Sequence, residues 1–515
     1  MPDYQRKNKT IAKNALYLYI RMFLVLFINL YTSRVLLKTL GVSDYGIYVV
    51  VASIITLFSV LNTSLSATMQ RYFNYVGANE NIKEINIIFS SGIYIHAFIA
   101  IITIVVLETI GLWYVNHFIV IPLERMQSTI FLFHISTFSL FFVILQIPLT
   151  SLILARERMS IYSLISIIDV MLKLIATLLL PYVEKDHLKV YGVMLFGIVA
   201  IDFLLYIICT KRVFPSLNFL PKIYKEIIKE LFLFTGWNLM GTFAFMLKAH
   251  GLSLLLNNFF GTILNAARGI ALQISSAVGN FSSNISIAFS PQIVNRVAVG
   301  DNHKAKSMMF QESKICFALI LIVVIPLCLE IDNILKLWLG NNVPPNTNIF
   351  TILVLVDTLI CTLNTPCTQI TQATGKIRKY QTASTFVNLS LIPTCYLFLK
   401  LGYPPVSTFF ITIVFSIINQ IVCLIYANKA FGFKLSNYMI KVIYPCILVI
   451  IFIGIVPFTI RYNMQASWVR MFCIFLSTAF ISIPTYYHIL MEKDERKLFN
   501  CYVRKKISNT IKYGK

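Results

Sequence analysis

Apolar residues run in long blocks along almost the whole chain, broken only by short polar stretches. A run of roughly 18 or more apolar residues crosses a bilayer core at about 1.5 Å per helical residue. Fourteen such runs occur, at about 14-37, 46-69, 85-113, 127-154, 161-181, 190-209, 231-256, 262-289, 315-338, 348-372, 382-400, 406-427, 439-460 and 468-490. The pattern predicts an all-α integral membrane protein with about 14 transmembrane helices. The largest outer connections, around 114-126, 182-189 and 339-347, are about ten residues each, and a long inner one runs from about 210 to 230. None is long enough for a soluble domain.

Composition agrees with the pattern. The 515 residues are 57% hydrophobic and only 13% charged, with a mean hydropathy of +0.77, whereas an ordinary globular chain carries about 25% charged residues. The net charge of +23 raises the question of a nucleic-acid partner, but its distribution follows topology. With the N-terminus inside, the inner loops and both tails hold 30 of the 44 Lys and Arg, the outer loops 5 and the runs themselves 9, several of these at run ends. Short-loop cations resist translocation, so both termini are expected in the cytoplasm and no nucleic acid is implied. Clusters such as Lys211, Arg212, Lys222, Lys225 and Lys229 also meet membrane lipid headgroups. Basic residues precede the first run without a small-residue cleavage site, so that run is expected to stay as a membrane helix. The ten cysteines show no metal or disulfide spacing, and no metal or cofactor is expected.

Two stretches read alike. "PLTSLILARERMSIYSLIS" from Pro148 and "PCTQITQATGKIRKYQTAS" from Pro366 match at an offset of 218, pairing Thr150 with Thr368, Arg158 with Lys376, Tyr162 with Tyr380 and Ser166 with Ser384. "GIYVVVASI" at Gly46 and "GIALQISSA" at Gly269, and "VGANEN" at Val76 and "VGDNHK" at Val299, match at an offset of 223. Six runs separate the copies, an even number, so the repeat is parallel, as in transporters whose halves rock around a central site. The expected organisation is a six-helix lobe over 1-210, a cytoplasmic amphipathic linker over 211-230, a second six-helix lobe over 231-428, a helix pair within 429-492 and a basic cytoplasmic tail over 493-515. In the linker, Ile223, Ile227, Ile228 and Leu231 fall on one helical face, and Lys222, Lys225, Lys229 and Glu230 on the other, the pattern of an interfacial helix. Pro148 and Pro366 each remove a backbone donor partway along the fourth helix of a lobe. They either serve as gating hinges or mark static helix geometry.

No Walker loop, GxSxG, HExxH or DxD motif is present, so the chain is not expected to be an enzyme, nor a pump driven by its own ATP hydrolysis. Candidate chemistry therefore lies with ionisable groups inside apolar runs, which are costly in lipid and mark a cavity or pathway. Asp169 and Lys173 stand four residues apart, acid first, the spacing of a neutralising pair. Arg21, Lys248 and Arg268 have no acid within four residues and suit an anionic ligand in a cavity, or else snorkel or pair across helices. Asp202 and Asp357 also lack a local partner, and with His250 they are candidates for coupling or for the cavity wall. Glu108, near an outer helix end, carries little functional weight. The polar run Asn265, Gln273, Ser275, Ser276, Gly279, Asn280, Ser282, Ser283 and Asn284 predicts close packing first and a wet, sugar-compatible surface second.

"NAARGIALQISSAVGNFSSNISIAFSPQIV" with the following "VGD", together with "ATGKIRKYQ" and "ILARERMSIYSLIS", resembles the polysaccharide-transporter family of O-antigen and capsule flippases. These belong to the superfamily that includes the multidrug and toxin extrusion transporters, and the resemblance spans about residues 10-490. It implies a multi-pass protein of the bacterial cytoplasmic membrane that flips undecaprenyl-diphosphate-linked oligosaccharide by alternating access, with polysaccharide assembly enzymes as candidate partners; a monomer is expected because the repeat already supplies both halves of a cavity. It also implies that Arg21, Lys248 and Arg268 hold the diphosphate or acidic sugars, and that the two helices beyond twelve help form a groove for the lipid tail. Two alternatives remain: an ion-coupled drug exporter, and a membrane polysaccharide polymerase or ligase. Against the first, the first run has no acidic residue; against the second, no large outer loop is present.

Overall fold

The computed structural model describes residues 2–58, 65–66, 68–70, 72–73, 82–156, 158–222, 224–228, 246–374, 378–491 and 496, with the side chains of 2–20, 22, 249, 284, 287–288, 291, 294–295 and 298 outside that description. All regular structure among these residues is helical, and eleven helices are long and apolar enough to cross a membrane. Helix α1, Pro2–Leu57, carries the first two apolar runs and turns between them at Gly41, where φ is 75° and ψ 171°. Only glycine adopts that backbone without strain.

The next helices are α2 (Ile82–Phe118), α3 (Leu123–Ala155), α4 (Met159–Tyr182) and α5 (His187–Val213). Asp186 caps α5 by accepting from the backbone N–H groups of Leu188 and Lys189, which satisfies two of the donors a helix start leaves open. There follow α6 (Leu252–Phe260), α7 (Thr262–Ala298), α8 (Asn302–Leu339), α9 (Thr347–Ala373), α10 (Arg378–Lys400), α11 (Val406–Phe431), α12 (Leu435–Asn463) and α13 (Trp468–Leu490). The charged residues Glu312 and Lys314, expected in a loop before 315, lie inside α8, because that helix begins at Asn302.

The chain forms two compact units, one holding 1–270, 338–347 and 388–408, the other 271–337, 348–387 and 409–515. In the first, α1 packs on α4, and α3 packs on α2 and α5. One apolar cluster gathers Ile47, Val50, Phe133, Ile144 and Leu188. Another gathers Met69, Phe73, Leu152, Ile165 and Tyr206, with Ile227 and Ile228 of the linker packed against it. The rest of the linker's expected apolar face, Ile223 and Leu231, lies outside the described residues.

Lipid is as apolar as leucine, so membrane helices associate through close fit and buried polar bonds more than through water exclusion. Both appear here. Arg125 of α3 forms ion pairs with Asp44 and with Asp186 at 2.9 Å, and Ser128 donates to Asp186 at 2.5 Å, so one guanidinium ties together the ends of three helices. Burial alone would raise the Asp186 carboxyl, but the hydrogen bonds from Ser128 and Arg125 outweigh it and hold the group at about 2.

In the second unit α12 packs on α13. Arg470 of α13 meets Glu330 of α8 at 2.7 Å, with the carboxylate side chain 0% exposed. Glu330 stands at a bend in α8 (φ −113°, ψ 18°), about one turn after Pro326. Lys314 Nζ donates to the Leu490 carbonyl at 2.9 Å, and the Tyr486 hydroxyl to that of Ala318. The C-terminal helices are thus anchored to α8 by polar bonds.

Candidate functional site

In the first unit a polar cavity of about 220 Å³ is lined by Gln146 and Thr150 of α3, Tyr162, Ser166 and Asp169 of α4, Asp202 and Tyr206 of α5, and Ser66. Local sequence explains the opening. α3 is interrupted at Gln146 (φ −76°, ψ −12°), two residues before Pro148, and the break places Gln146 and Thr150 on the cavity wall. In the second unit Pro366 lies inside α9, with no such interruption described there. The two prolines therefore have different local effects.

Asp169 pairs with Lys173 at 2.7 Å, the neutralising pair expected from their spacing. Asp202, 8% exposed, stands on the same cavity wall from α5. Its Oδ1 has no hydrogen-bond partner among the described residues. Lys173 balances the Asp169 carboxylate. The Arg21 guanidinium lies 5.0 Å from the centre of the Tyr162 ring, a cation–π distance, and its charge reaches Tyr206. Arg21 and Asp202, separate in the sequence analysis, thus belong to one site. At about 220 Å³ this cavity is smaller than the roughly 300–1,000 Å³ of ordinary ligand pockets. It suits a proton, a cation or water rather than a glycan.

The other candidates fall elsewhere. Arg268, 4% exposed, donates from Nε to Ser253 Oγ at 2.9 Å and acts electrostatically on His250. Lys248 and His250 are half-buried in a π-helical turn, Leu247–Gly251, that leads into α6. These three occupy one region of α6 and α7. Asp357 is in the second unit, where Ser416 Oγ donates to its Oδ1 at 2.5 Å. Glu108 lies in a π-helical turn, Leu107–Gly111, with His134 Nδ1 at 2.6 Å from its carboxylate.

The repeated motif builds a polar junction in each unit. Thr150, Tyr162 and Ser166 share the cavity wall of the first. Their counterparts bond in the second, Thr368 Oγ1 to the Tyr380 hydroxyl at 2.9 Å and Ser384 Oγ to Asn419 Oδ1 at 2.7 Å. At the same offset of 218, Asp202 corresponds to Gln420, which is buried and donates to the Leu363 carbonyl at 3.1 Å. The acid of the first copy is an amide in the second. Of the basic turns, Arg156 and Arg158 are described, whereas Lys376 and the "VGANEN" copy lie outside the described residues.

Helix α7 is too polar to count among the eleven apolar spans. Part of its polar run is buried as expected: Ser275 bonds Thr358 of α9 at 2.7 Å, and Ser282 and Ser286 are 6% and 4% exposed. Another part is exposed. Ser276, Asn280 and Ser283 stand at i, i+4 and i+7, one stripe of a helix. The Ser283 hydroxyl donates to the Asn280 carbonyl at 3.0 Å, while an exposed hydroxyl or amide on a membrane helix, as at Ser276 and Asn280, calls for water or polar cargo beside it, since lipid offers no partner.

These features define a multi-span, all-helical membrane fold. The chain is similar to the lipid II flippase MurJ in an inward closed conformation, at 14% identity and a TM-score of 0.66, covering 92% of this chain and 97% of that one. It is also similar to an inward-facing multidrug resistance MATE family transporter of the MOP superfamily, at 11% identity and a TM-score of 0.67, covering 81% and 98%. A MOP superfamily transporter from Pyrococcus furiosus matches at 12% identity and a TM-score of 0.60, covering 83% and 96%. No family model and no curated protein matches the sequence.

The sequence analysis overlooked Arg125 with Asp44 and Asp186, Glu330 with Arg470, and buried Glu312. Asp186 before "HLK" was a legible helix cap. The other partners lie 81 and 140 residues apart in the chain, with no local signal.

Proposed function

We propose that this protein is a flippase for undecaprenyl-diphosphate-linked oligosaccharide in the bacterial cytoplasmic membrane, working by alternating access of two repeated six-helix lobes, 1-210 and 231-428, with both termini cytoplasmic. The observation that carries the reading is the exposed stripe Ser276, Asn280 and Ser283, whose uncharged donors and acceptors match sugar hydroxyls. The extent of the structural likeness supports a lipid-linked cargo. The lipid flippase covers 92% of this chain, against 81% and 83% for the two MOP transporters. The difference, about a tenth of the chain, is the size of the helix pair α12 and α13.

The physical task fits such a protein. The lipid tail can stay in the bilayer, but a diphosphate and many hydroxyls cannot cross about 30 Å of hydrocarbon unaided. In the proposed mechanism Arg21, Lys248 and Arg268 supply the positive potential that draws the diphosphate. Asp202, with Asp169 and Lys173, takes up a proton or cation that drives the cycle, and Asp357 and His250 are further coupling or cavity groups. Pro148 and Pro366 let the fourth helix of each lobe flex. The protein acts as a monomer, receives cargo from polysaccharide assembly enzymes and performs no covalent chemistry.

The acid cavity equally supports a second reading, an ion-coupled exporter of small molecules, since both transporters need a coupling site. A deletion strain separates the two. Under the first reading, complete lipid-linked repeat units accumulate on the cytoplasmic face and surface glycan disappears, while wild type restores display and Arg21→Ala does not. Unchanged glycan together with new drug sensitivity would establish the exporter instead.

A further inference from the structure

The basic turn after α3 takes no part in the acid cavity. Arg156 and Arg158 instead wall a second cavity of about 390 Å³, floored by Ile85, Leu152, Phe214 and Leu217. Ile82, also on the lining, is 51% exposed at its mouth. The wall opposite α3 is firmly built. Asn218 N–H donates to Asn86 Oδ1 at 3.1 Å, Leu220 N–H donates to Ser90 Oγ at 2.8 Å, and Asn86 Nδ2 donates to the Ser216 carbonyl at 3.4 Å. Asn86 and Ser90 are buried, at 8% and 0% exposure, so the segment after α5 is strapped to α2 and the cavity needs no rearrangement to exist.

Its place in the membrane follows from the helices. α2 starts here, and α3 and α5 end here, with Lys211 and Arg212 in the last turn of α5. All are on the side where the chain's cations crowd. Arg156 and Arg158 are the charged residues of the lining. An apolar floor beneath a guanidinium pair is complementary to an amphiphile with an acidic head. Arginine grips phosphate through two parallel hydrogen bonds, and basic pockets at this membrane level hold anionic headgroups. The volume lies in the ordinary range for ligand pockets.

We propose that this cavity binds an anionic phospholipid of the inner leaflet, its phosphate between Arg156 and Arg158 and the upper part of an acyl chain against Leu152, Phe214 and Leu217. The site is separate from the acid cavity and stands whether or not the cargo reading does. Occupancy would fasten the α3 end to the segment after α5, so lipid composition would tune the stability of the first unit.

The test uses the full chain in neutral detergent, with lipid retention read by native mass spectrometry and stability by thermal unfolding. Phosphatidylglycerol is expected to be retained and to raise the unfolding temperature. Phosphatidylcholine should be retained less, and inorganic phosphate alone should not stabilise. Arg156→Ala with Arg158→Ala should weaken phosphatidylglycerol retention on the order of thirtyfold. Because that variant can lose stability for other reasons, Arg156→Lys with Arg158→Lys serves as a second probe and should retain an intermediate amount. Lys211→Ala with Arg212→Ala removes the same charge outside the cavity and should bind as wild type. Undiminished retention in the double alanine variant, equal retention of the zwitterionic lipid, equal stabilisation by free phosphate, or equal loss in the Lys211 and Arg212 variant would each overturn the proposal.

Discussion

Gly46 lies so close to Thr262 that a Cβ built on it would stand 2.0 Å from the Thr262 carbonyl oxygen. On the same helix contact, a Cβ on Gly269 would come within 2.8 Å of Val49. Gly46 and Gly269 are repeat mates in the sequence, and each is where α1 and α7 approach one another. Gly46→Ala must push backbone against backbone, which exceeds the ~1–3 kcal/mol of ordinary overpacking, so little folded protein is expected in the membrane. Gly269→Ala displaces only a valine methyl and should cost less. Gly197→Ala, with nothing within 4 Å, should be neutral. Detergent-extracted, size-exclusion-resolved yield orders the three.

The Arg125 clamp makes a prediction in pH. The folded Asp186 carboxyl sits at about 2, below the ~3.9 of a free aspartate. Its ionised form therefore favours folding above about pH 4, and that contribution disappears as the pH falls from about 4 to 2. Wild type should melt above Asp186→Asn by an amount that is constant from pH 8 to about pH 4 and then narrows. Partial exposure limits the advantage to about 1 kcal/mol. A gap that widens on acidification would contradict the clamp.

Glu330 is fully buried, so removing its partner strands a charge. Arg470→Ala should cost about 3–5 kcal/mol, whereas Arg470→Met combined with Glu330→Leu should recover most of the loss. Thermal unfolding of the single and double variants measures the coupling directly. Additive losses would mean that the pair does not anchor α13 to α8.

In the acid cavity the two roles separate by variant. Lys173→Met leaves two carboxylates without their cation and should lower the amount of folded protein, and adding Asp169→Asn should restore it. Asp202→Asn keeps the shape and removes the titrating group, so abundance should stay normal while transport falls by at least about tenfold. Normal transport in Asp202→Asn would remove this residue from the coupling step.

Much of this architecture was legible because a bilayer imposes helix length. Among the described residues the apolar runs fall in helices, eleven of them long and apolar enough to span, and α1 turns at Gly41 between the first run and the start of the second. Asp169 and Lys173 were readable as a pair because four residues is one helical step. The Thr, Tyr and Ser positions of the repeat likewise recur at a polar junction in each unit. What was not legible depends on distant partners. Nothing local assigns Arg125 to Asp44 and Asp186, places Asp202 beside Asp169, or seats Arg268 against Ser253. The boundary of α8 failed for a different reason: Glu312 and Lys314 lower local hydropathy and look like a loop, although each is buried within a helix.

The central claim is movement of a lipid-linked glycan, and the most direct test is purified protein in sealed vesicles containing undecaprenyl-diphosphate-linked oligosaccharide. Exposure of the sugar on the outer surface is followed with a soluble glycosidase. The account predicts that wild type makes the protected half of the glycan accessible at a rate that depends on protein, that Asp202→Asn and Arg21→Ala are slowed at least about tenfold, and that Gly197→Ala is not. Glycan that stays protected at the protein-free rate, in vesicles where the same preparation expels a small cationic drug, would contradict it.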